Sequence, residues 1–383
     1  MNKSIYLDYA AATPLDPTVL AAMKPFLELE FYNPSATYLA GKRVEQTLET
    51  ARSEVARALG SRPAEIVFTA GATEANNLAI QGVMRGFPGS EALCSAVEHE
   101  SVLAPTKIFK NRIIPVNSGG MVDVAKLQKM IGDETVLISV MYVNNEIGTI
   151  QSLKEIATIL RQVRSERSKV DNKLPIYLHS DAAQAANYLD LHVTRLSVDL
   201  MSINGGKIYG PKQSGVLFVR TGVRLQPLIL GGGQEFGLRS GTENVAGAVG
   251  FGQALKNAQE LRKVESGRLK KLRYFFANQL QKTIPSAVIN GSSTHMAPHI
   301  LNITIPGIDN ERVMMELDEA GVMCAVGSAC RAGSTEPSHV LSAIGLSKDQ
   351  ARSSLRFSLG RASSESQILT ALGLLGRFTG ADR

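Results

Sequence analysis

The feature that most restricts the fold of this chain is a repeated alternation of short apolar runs with helical stretches. Apolar runs fall at 65–69, 92–97, 136–143, 176–180, 200–203 and 215–220. Between them lie segments with apolar residues every three or four positions, such as Val44, Leu48, Ala51, Val55 and Leu59, closed by Gly60. Strands that are apolar throughout, separated by helices, predict a mostly parallel sheet covered on both faces. In such sheets ligands bind at the carboxyl ends of the strands. Polar clusters fall at four of those ends: Glu98-His99, Asn144-Asn145-Glu146, Asp181 to Gln184, and Asn204 to Lys207.

At 383 residues the chain exceeds the size at which one core keeps growing, so a large domain with a smaller one is expected. After Gly231-Gly232-Gly233 the pattern changes to a long helical stretch over 244–283, read as a bridge between domains. Strand-like 299–305, helical 310–320, strand-like 354–359 and a last helix opened by a Ser364/Gln367 capping box make a smaller α+β domain. The expected division is an N-terminal arm over 1–15 packing on the small domain, a large domain over 16–255 and a small one over 256–383. Asp16 and Pro17 open a helix after the arm. The run dense in Arg, Lys, Ser and Glu over 161–173 is read as a solvated helix end and loop.

Composition narrows the function. A net charge of +6 spread along the chain, without an aromatic-interleaved basic run, argues against nucleic acid. No leader pattern opens the chain and no window approaches 18 apolar residues, so a cytoplasmic protein off the membrane is expected. Cys94, Cys324 and Cys330 match neither a zinc site nor a disulfide framework, so reduced thiols and no metal are expected. Cys94 sits in an apolar run. Cys330 lies among small polar residues, 327–338, where a thiol can be exposed.

The chemistry gathers around Asn204-Gly205-Gly206-Lys207-Ile208-Tyr209-Gly210-Pro211-Lys212. A lysine among small residues at a strand end can form a Schiff base with a carbonyl such as that of pyridoxal phosphate; a solvated lysine in a surface turn is the competing reading. Thr73 follows a strand and a glycine turn at a helix start, where unpaired N–H groups attract anions. Asp181 can pair with a pyridine nitrogen or simply cap a turn. His99 suits stacking and proton transfer, and Arg356 can hold a carboxylate or enter an ordinary ion pair.

Taken together, these stretches resemble the cysteine desulfurases of the class V aminotransferase superfamily, the NifS/IscS-like group. The matching pieces are Tyr6-Leu7-Asp8-Tyr9-Ala10-Ala11, Asn33-Pro34-Ser35, Gly71 to Asn77, Glu98-His99, Val143 to Gly148, Asp181 to Gln184, Lys207 to Lys212, Arg239-Ser240-Gly241-Thr242, Gly327-Ser328-Ala329-Cys330 and Arg356 to Arg361, in family order. The resemblance implies a fold-type I pyridoxal 5'-phosphate enzyme and a homodimer. It implies that Lys207 holds the cofactor, His99 stacks on it, Asp181 pairs with its nitrogen and Gln184 with its phenolic oxygen. Ala72, Thr73, Asn204 and Gly206 would surround the phosphate, joined by Thr242 from the neighbouring subunit. Asn145 and Arg356 would hold the carboxylate of L-cysteine, and Cys330 would take its sulfur as a persulfide for an acceptor or scaffold protein in iron-sulfur or other thio-cofactor assembly.

One departure stands out. The family's usual Ser-x-His before the lysine is here Asn204-Gly205-Gly206, and the glycine after Gly-Pro-Lys is Gln213. Gly206 cannot replace a histidine side chain, which removes a charge-assisted bond from the phosphate cup. Two other activities therefore stand beside desulfuration: selenocysteine lyase or transaminase chemistry on the same cofactor, and a weakened member acting as a sulfur-assembly scaffold.

Overall fold

A computed structural model of the chain describes residues 4–327 and 337–380. In chain order its elements begin with β1 (Ile5–Tyr6), α1 (Pro17–Glu28), α2 (Leu39–Leu59), β2 (Ile66–Thr69), α3 (Ala72–Gly86), β3 (Glu91–Ser95), α4 (Glu100–Thr106) and β4 (Asn111–Ile114). There follow α5 (Val124–Met130), β5 (Thr135–Ser139), α6 (Leu153–Lys169), β6 (Tyr177–Asp181), α7 (Val193–Leu196), β7 (Leu200–Asn204) and β8 (Gly215–Val219). The rest are α8 (Val245–Thr283), β9 (Val288–Asn290), β10 (Ile300–Thr304), α9 (Asn310–Glu319), β11 (Val322–Met323), α10 (His339–Ala343), α11 (Lys348–Arg352), β12 (Ser354–Ser358) and α12 (Glu365–Thr379).

Seven strands form the central sheet in the order β2-β8-β7-β6-β5-β3-β4. Every pairing is parallel except those of β8 with β2 and β7. Apart from the edge strand β4 the strands are buried on both faces, and their side chains alternate between two cores. Ala92 and Cys94 of β3 enter one core and Leu93 the other, and in β8 Leu217 opposes Val216 and Phe218. Because β2, β3, β5, β6 and β7 run the same way, the segments that follow them emerge along one edge.

A separate core gathers around the three-stranded antiparallel sheet β12-β10-β9. The 39-residue α8 joins the two: Phe251, Ala254, Leu255 and Ala258 pack into the first core, and Leu269, Leu272, Phe276 and Leu280 into the second. At 1.5 Å per residue it is about 58 Å long. The amino-terminal segment runs across this junction. Ile5 and Tyr6 pair with Val322 and Met323, while Thr13 N donates to Gly206 O at 3.1 Å and Asp16 N to Tyr209 O at 2.9 Å.

The segment over 161–173 is a largely exposed helix end and loop, as read, with one exception. Helix α6 continues to Lys169, and Arg167 is buried with Nη2 donating to the carbonyls of Gly132 and Thr135 at 2.7 and 2.8 Å. The guanidinium satisfies carbonyls that the loop before β5 and the strand's own first residue would otherwise bury unpaired. No helix among the described residues is long and apolar enough to cross a membrane.

Candidate active site

The turn between β7 and β8 places the lysine. Gly205 N donates to Ser214 O at 2.9 Å and Gly210 N to Gly205 O at 3.0 Å, which folds 205–214 back on itself. The turn packs too closely for side chains: a Cβ on Gly215 would stand 2.6 Å from the Cα of Gly71. Gly71 itself, at φ 139, caps α3 in a conformation that favours glycine. This contact brings the amino end of α3 against the lysine turn.

Lys207 Nζ donates to the Ala11 carbonyl, and Lys212 Nζ to the Thr13 carbonyl at 2.7 Å. Both lysines line one cavity of about 610 Å³ together with Ala72, Thr73, Asn204 and Gly206. Asn204 Oδ1 accepts from Gly206 N at 2.9 Å, so the amide N–H of Gly206 is spent inside the turn. That bond turns the Asn204 amide group toward Gly71, whose missing Cβ would lie 3.8 Å from Asn204 Nδ2. The first N–H groups of α3, the Thr73 hydroxyl and the Asn204 amide thus form a set of anion donors.

Deeper in the site a chain of hydrogen bonds joins three of the expected residues' elements. Asn76, wholly buried on α3, donates from Nδ2 to Asp181 Oδ2 at 2.7 Å and to Ser101 Oγ at 2.8 Å. Ser101 Oγ lies 2.8 Å from His99 Nδ1, which also accepts from Ser101 N at 3.1 Å. With Nδ1 accepting, the ring proton of neutral His99 is on Nε2. Asp181 Oδ1 accepts from Ala183 N at 2.9 Å. Sequence reasoning had no role for Asn76 or Ser101. The available signal was helical spacing, since position 76 follows Thr73 by three and shares its face.

Around this network the buried groups are held in defined protonation states. His179 bridges Ser139 and Ser202 under the site, and burial depresses its pKa to about 4. Glu98, accepting from Ser95 Oγ and Met141 N at 2.7 Å each, is pushed up by burial to about 8. Gln184 donates to Ala10 O at 2.9 Å, and its Oε1 faces His299 Nε2 at 3.3 Å. Burial holds His299 neutral, with its pKa lowered to about 3.

Arg356, only 1% exposed, places Nη2 on Asp8 Oδ1 at 2.6 Å and Nη1 on the Asn145 carbonyl at 3.0 Å. The ion-pair reading of this arginine is therefore realised in the structure, with Asn145 joined through its backbone. Thr242 is exposed and is not among the residues lining the cavity of its own chain; Arg239 nearby is tied to Glu74 Oε1 at 2.9 Å. Cys330 lies outside the described residues. The segment before it reaches Gly327, and the segment after it resumes with Ser338 Oγ donating to Glu146 Oε2 at 2.5 Å and His339 Nε2 at 2.8 Å from Glu98 O. The thiols of Cys94 and Cys324 are both raised to about 12 by burial.

The chain is similar to known proteins over nearly its whole length. The aminotransferase class-V family profile matches residues 5–370. A protein named cysteine desulfurase IscS, from Dictyoglomus turgidum, is 40% identical over 385 residues, spanning 99% of this chain and 95% of that protein. A solved structure described as a NifS-like protein superposes with a TM-score of 0.90 at 30% identity, covering 98% of this chain and 99% of its own. A structure described as SspA in complex with cysteine does so with a TM-score of 0.79 at 34% identity, covering 93% and 99%.

Proposed function

The chain belongs to the aminotransferase class-V family, and from that premise we propose that it is a cysteine desulfurase dependent on pyridoxal 5'-phosphate. The observation that carries the reading is the convergence on one edge of an amine, an anion cup and a carboxylate. Lys207, Thr73 and Asn204 share one cavity, and Asn76 at the base of the same helix is bonded to Asp181. These residues fit the cofactor: an amine for its aldehyde, helix N–H groups for its phosphate, and a carboxylate already oriented by two donors for its ring nitrogen.

When bound, the cofactor supplies an electron sink for bonds at the substrate's α-carbon. The protein does the rest. Lys207 would hold the aldehyde, Asp181 would face the ring nitrogen and Gln184 the phenolic oxygen. His99, with Nδ1 fixed by Ser101, presents Nε2 for stacking and proton transfer. Asn145 and Arg356 hold the carboxylate of L-cysteine, and the Cys330 thiolate attacks its sulfur. The carbon–sulfur bond breaks with its electron pair left on the carbon side, that carbon takes up a proton, Cys330 carries the persulfide, and L-alanine leaves. The persulfide serves an acceptor or scaffold protein in iron-sulfur or other thio-cofactor assembly. The enzyme works in the cytoplasm as a homodimer in which Thr242 completes the neighbouring phosphate cup. The arm over 1–15, the large domain over 16–255 and the small domain over 256–383 are its working units.

The test is an absorption spectrum of the purified protein before and after L-cysteine, with alanine and sulfide measured. A yellow protein whose spectrum changes and which forms alanine is expected. In Lys207→Ala borohydride no longer fixes the cofactor to the chain. Cofactor fixed in that variant reassigns the lysine, and no alanine from cysteine rejects the activity.

A further inference from the structure

Residue 206 carries no side chain, and the space beside it is taken by Lys212. A Cβ placed on Gly206 would stand 3.2 Å from Lys212 Cδ and 3.3 Å from Asn204 Oδ1. The turn holds Lys212 there. Ser214 Oγ donates to Pro211 O at 2.7 Å, and the flanking Tyr209 and Gln213 take left-handed backbone conformations at φ 61 and 55. Such conformations cost non-glycine residues energy, so this turn keeps its shape at some expense. The ammonium spends one of its three N–H bonds on Thr13 O, and the amide of Thr13 is in turn bonded to Gly206 O.

The charges lining the cavity are few. Among its described residues the cations are Lys207 and Lys212, and the anion is Glu74, which accepts from Ala70 N and Arg239 Nε. The donors of the cup, the first N–H groups of α3, the Thr73 hydroxyl and the Asn204 amide, are all neutral. A phosphate monoester carries about −1.5 to −2 charges at pH 7. With Lys207 committed to an aldehyde, that charge needs another cation.

We propose that Lys212 is a phosphate-binding residue, its ammonium shared between the Thr13 carbonyl and the phosphate of the cofactor, and its stem filling the place left by the absent side chain at 206. The inference rests on the cofactor reading above. It also sets what Gly206→His does. A histidine at 206 meets the Lys212 stem and competes for the same volume, so it adds little while the lysine stays.

The experiment measures dissociation constants for pyridoxal 5'-phosphate and for pyridoxal, which lacks the phosphate, in the wild type, Lys212→Met, Lys212→Arg and Gly206→His. Lys212→Met is expected to weaken the phosphorylated form by roughly 10- to 100-fold, the range of one lost charge-assisted hydrogen bond, and to leave pyridoxal within about twofold. Lys212→Arg keeps the cation and recovers most of the affinity. Gly206→His does not tighten binding, and in a Lys212→Ala background, where the stem is gone, it regains part of the loss. Equal weakening toward both ligands makes Lys212 a structural anchor of Thr13 and overturns the proposal. So does phosphate affinity unchanged in Lys212→Met. A wild type that binds neither ligand rejects the cofactor reading itself, a distinguishable failure.

Discussion

Exchanging Asn76 for aspartate replaces one NH₂ group by an oxygen and keeps the shape of the side chain, which makes its cost calculable. The amide donates to Asp181 Oδ2 at 2.7 Å and to Ser101 Oγ at 2.8 Å, in a position with no solvent exposure. Two carboxylates at that separation repel by about 6 kcal/mol at an effective dielectric of 20. Taking up a proton is cheaper: holding one at pH 7 on a carboxyl of ordinary pKa near 4 costs about 4 kcal/mol. Asn76→Asp should therefore lose about 4 kcal/mol at pH 7. The shared proton is bound by the folded variant and not by the unfolded chain, so the penalty grows with rising pH and shrinks to about 1.5 kcal/mol at pH 5. For 383 residues the unfolding entropy is about 0.8 kcal/mol/K. The expected loss in Tm is then about 5 °C at pH 7 and about 2 °C at pH 5, read by calorimetry on cofactor-free protein against wild type at each pH. Asn76→Leu, which removes the donors without adding charge, should show a smaller change of penalty between the two pH values. An aspartate penalty equal at both pH values would refute the pairing of Asn76 with Asp181.

Two further outcomes are expected. His299 has a folded pKa near 3 against an ordinary 6.5, so the unfolded chain takes up a proton that the native state refuses, and stability falls as pH drops from 6.5 toward 3. His299→Gln keeps a donor for Gln184 and removes this titration. Its urea midpoint should decline less than that of wild type between pH 6.5 and 4, and parallel declines would contradict the assignment. Cys330→Ala should still change its spectrum with L-cysteine but form no sulfur adduct by mass spectrometry, because the buried thiols of Cys94 and Cys324, near pKa 12, present almost no thiolate. An adduct mapped to either one would overturn the choice of Cys330.

The architecture was legible because strands buried on both faces leave few ways to be arranged, and their polar ends then fall on one edge. Strand limits were less so. The apolar run at 136–143 contributes β5 only to Ser139, and its later part turns through Asn144, whose N–H bonds Thr149 O at 2.9 Å. What composition hid was burial of charge: nothing in the run over 161–173 distinguishes buried Arg167 from its solvated neighbours. At the site, lysine, threonine and aspartate announce themselves by residue type and position. The groups that orient them do not. Asn76 is one amide among several on α3, and the Asp8 to Arg356 pair joins residues 348 apart in the chain, a distance over which no local pattern carries information.

The amino-terminal segment has a temporal consequence. Ala10 N donates to Ser358 Oγ at 2.9 Å, Asp8 pairs with Arg356, and the same few residues supply the carbonyls that hold Gln184, Lys207 and Lys212. One side of the pocket is thus made of residues 10–13, and the segment is clamped by residues 348 positions later in the chain. At about 5–20 residues per second, roughly 7 to 30 s separate the emergence of Lys207 from that of Arg356. Through that interval a nascent chain has its lysine without the strand that clamps the segment beside it. A cofactor taken up at Lys207 would therefore meet a complete pocket wall only after β12 has emerged and folded.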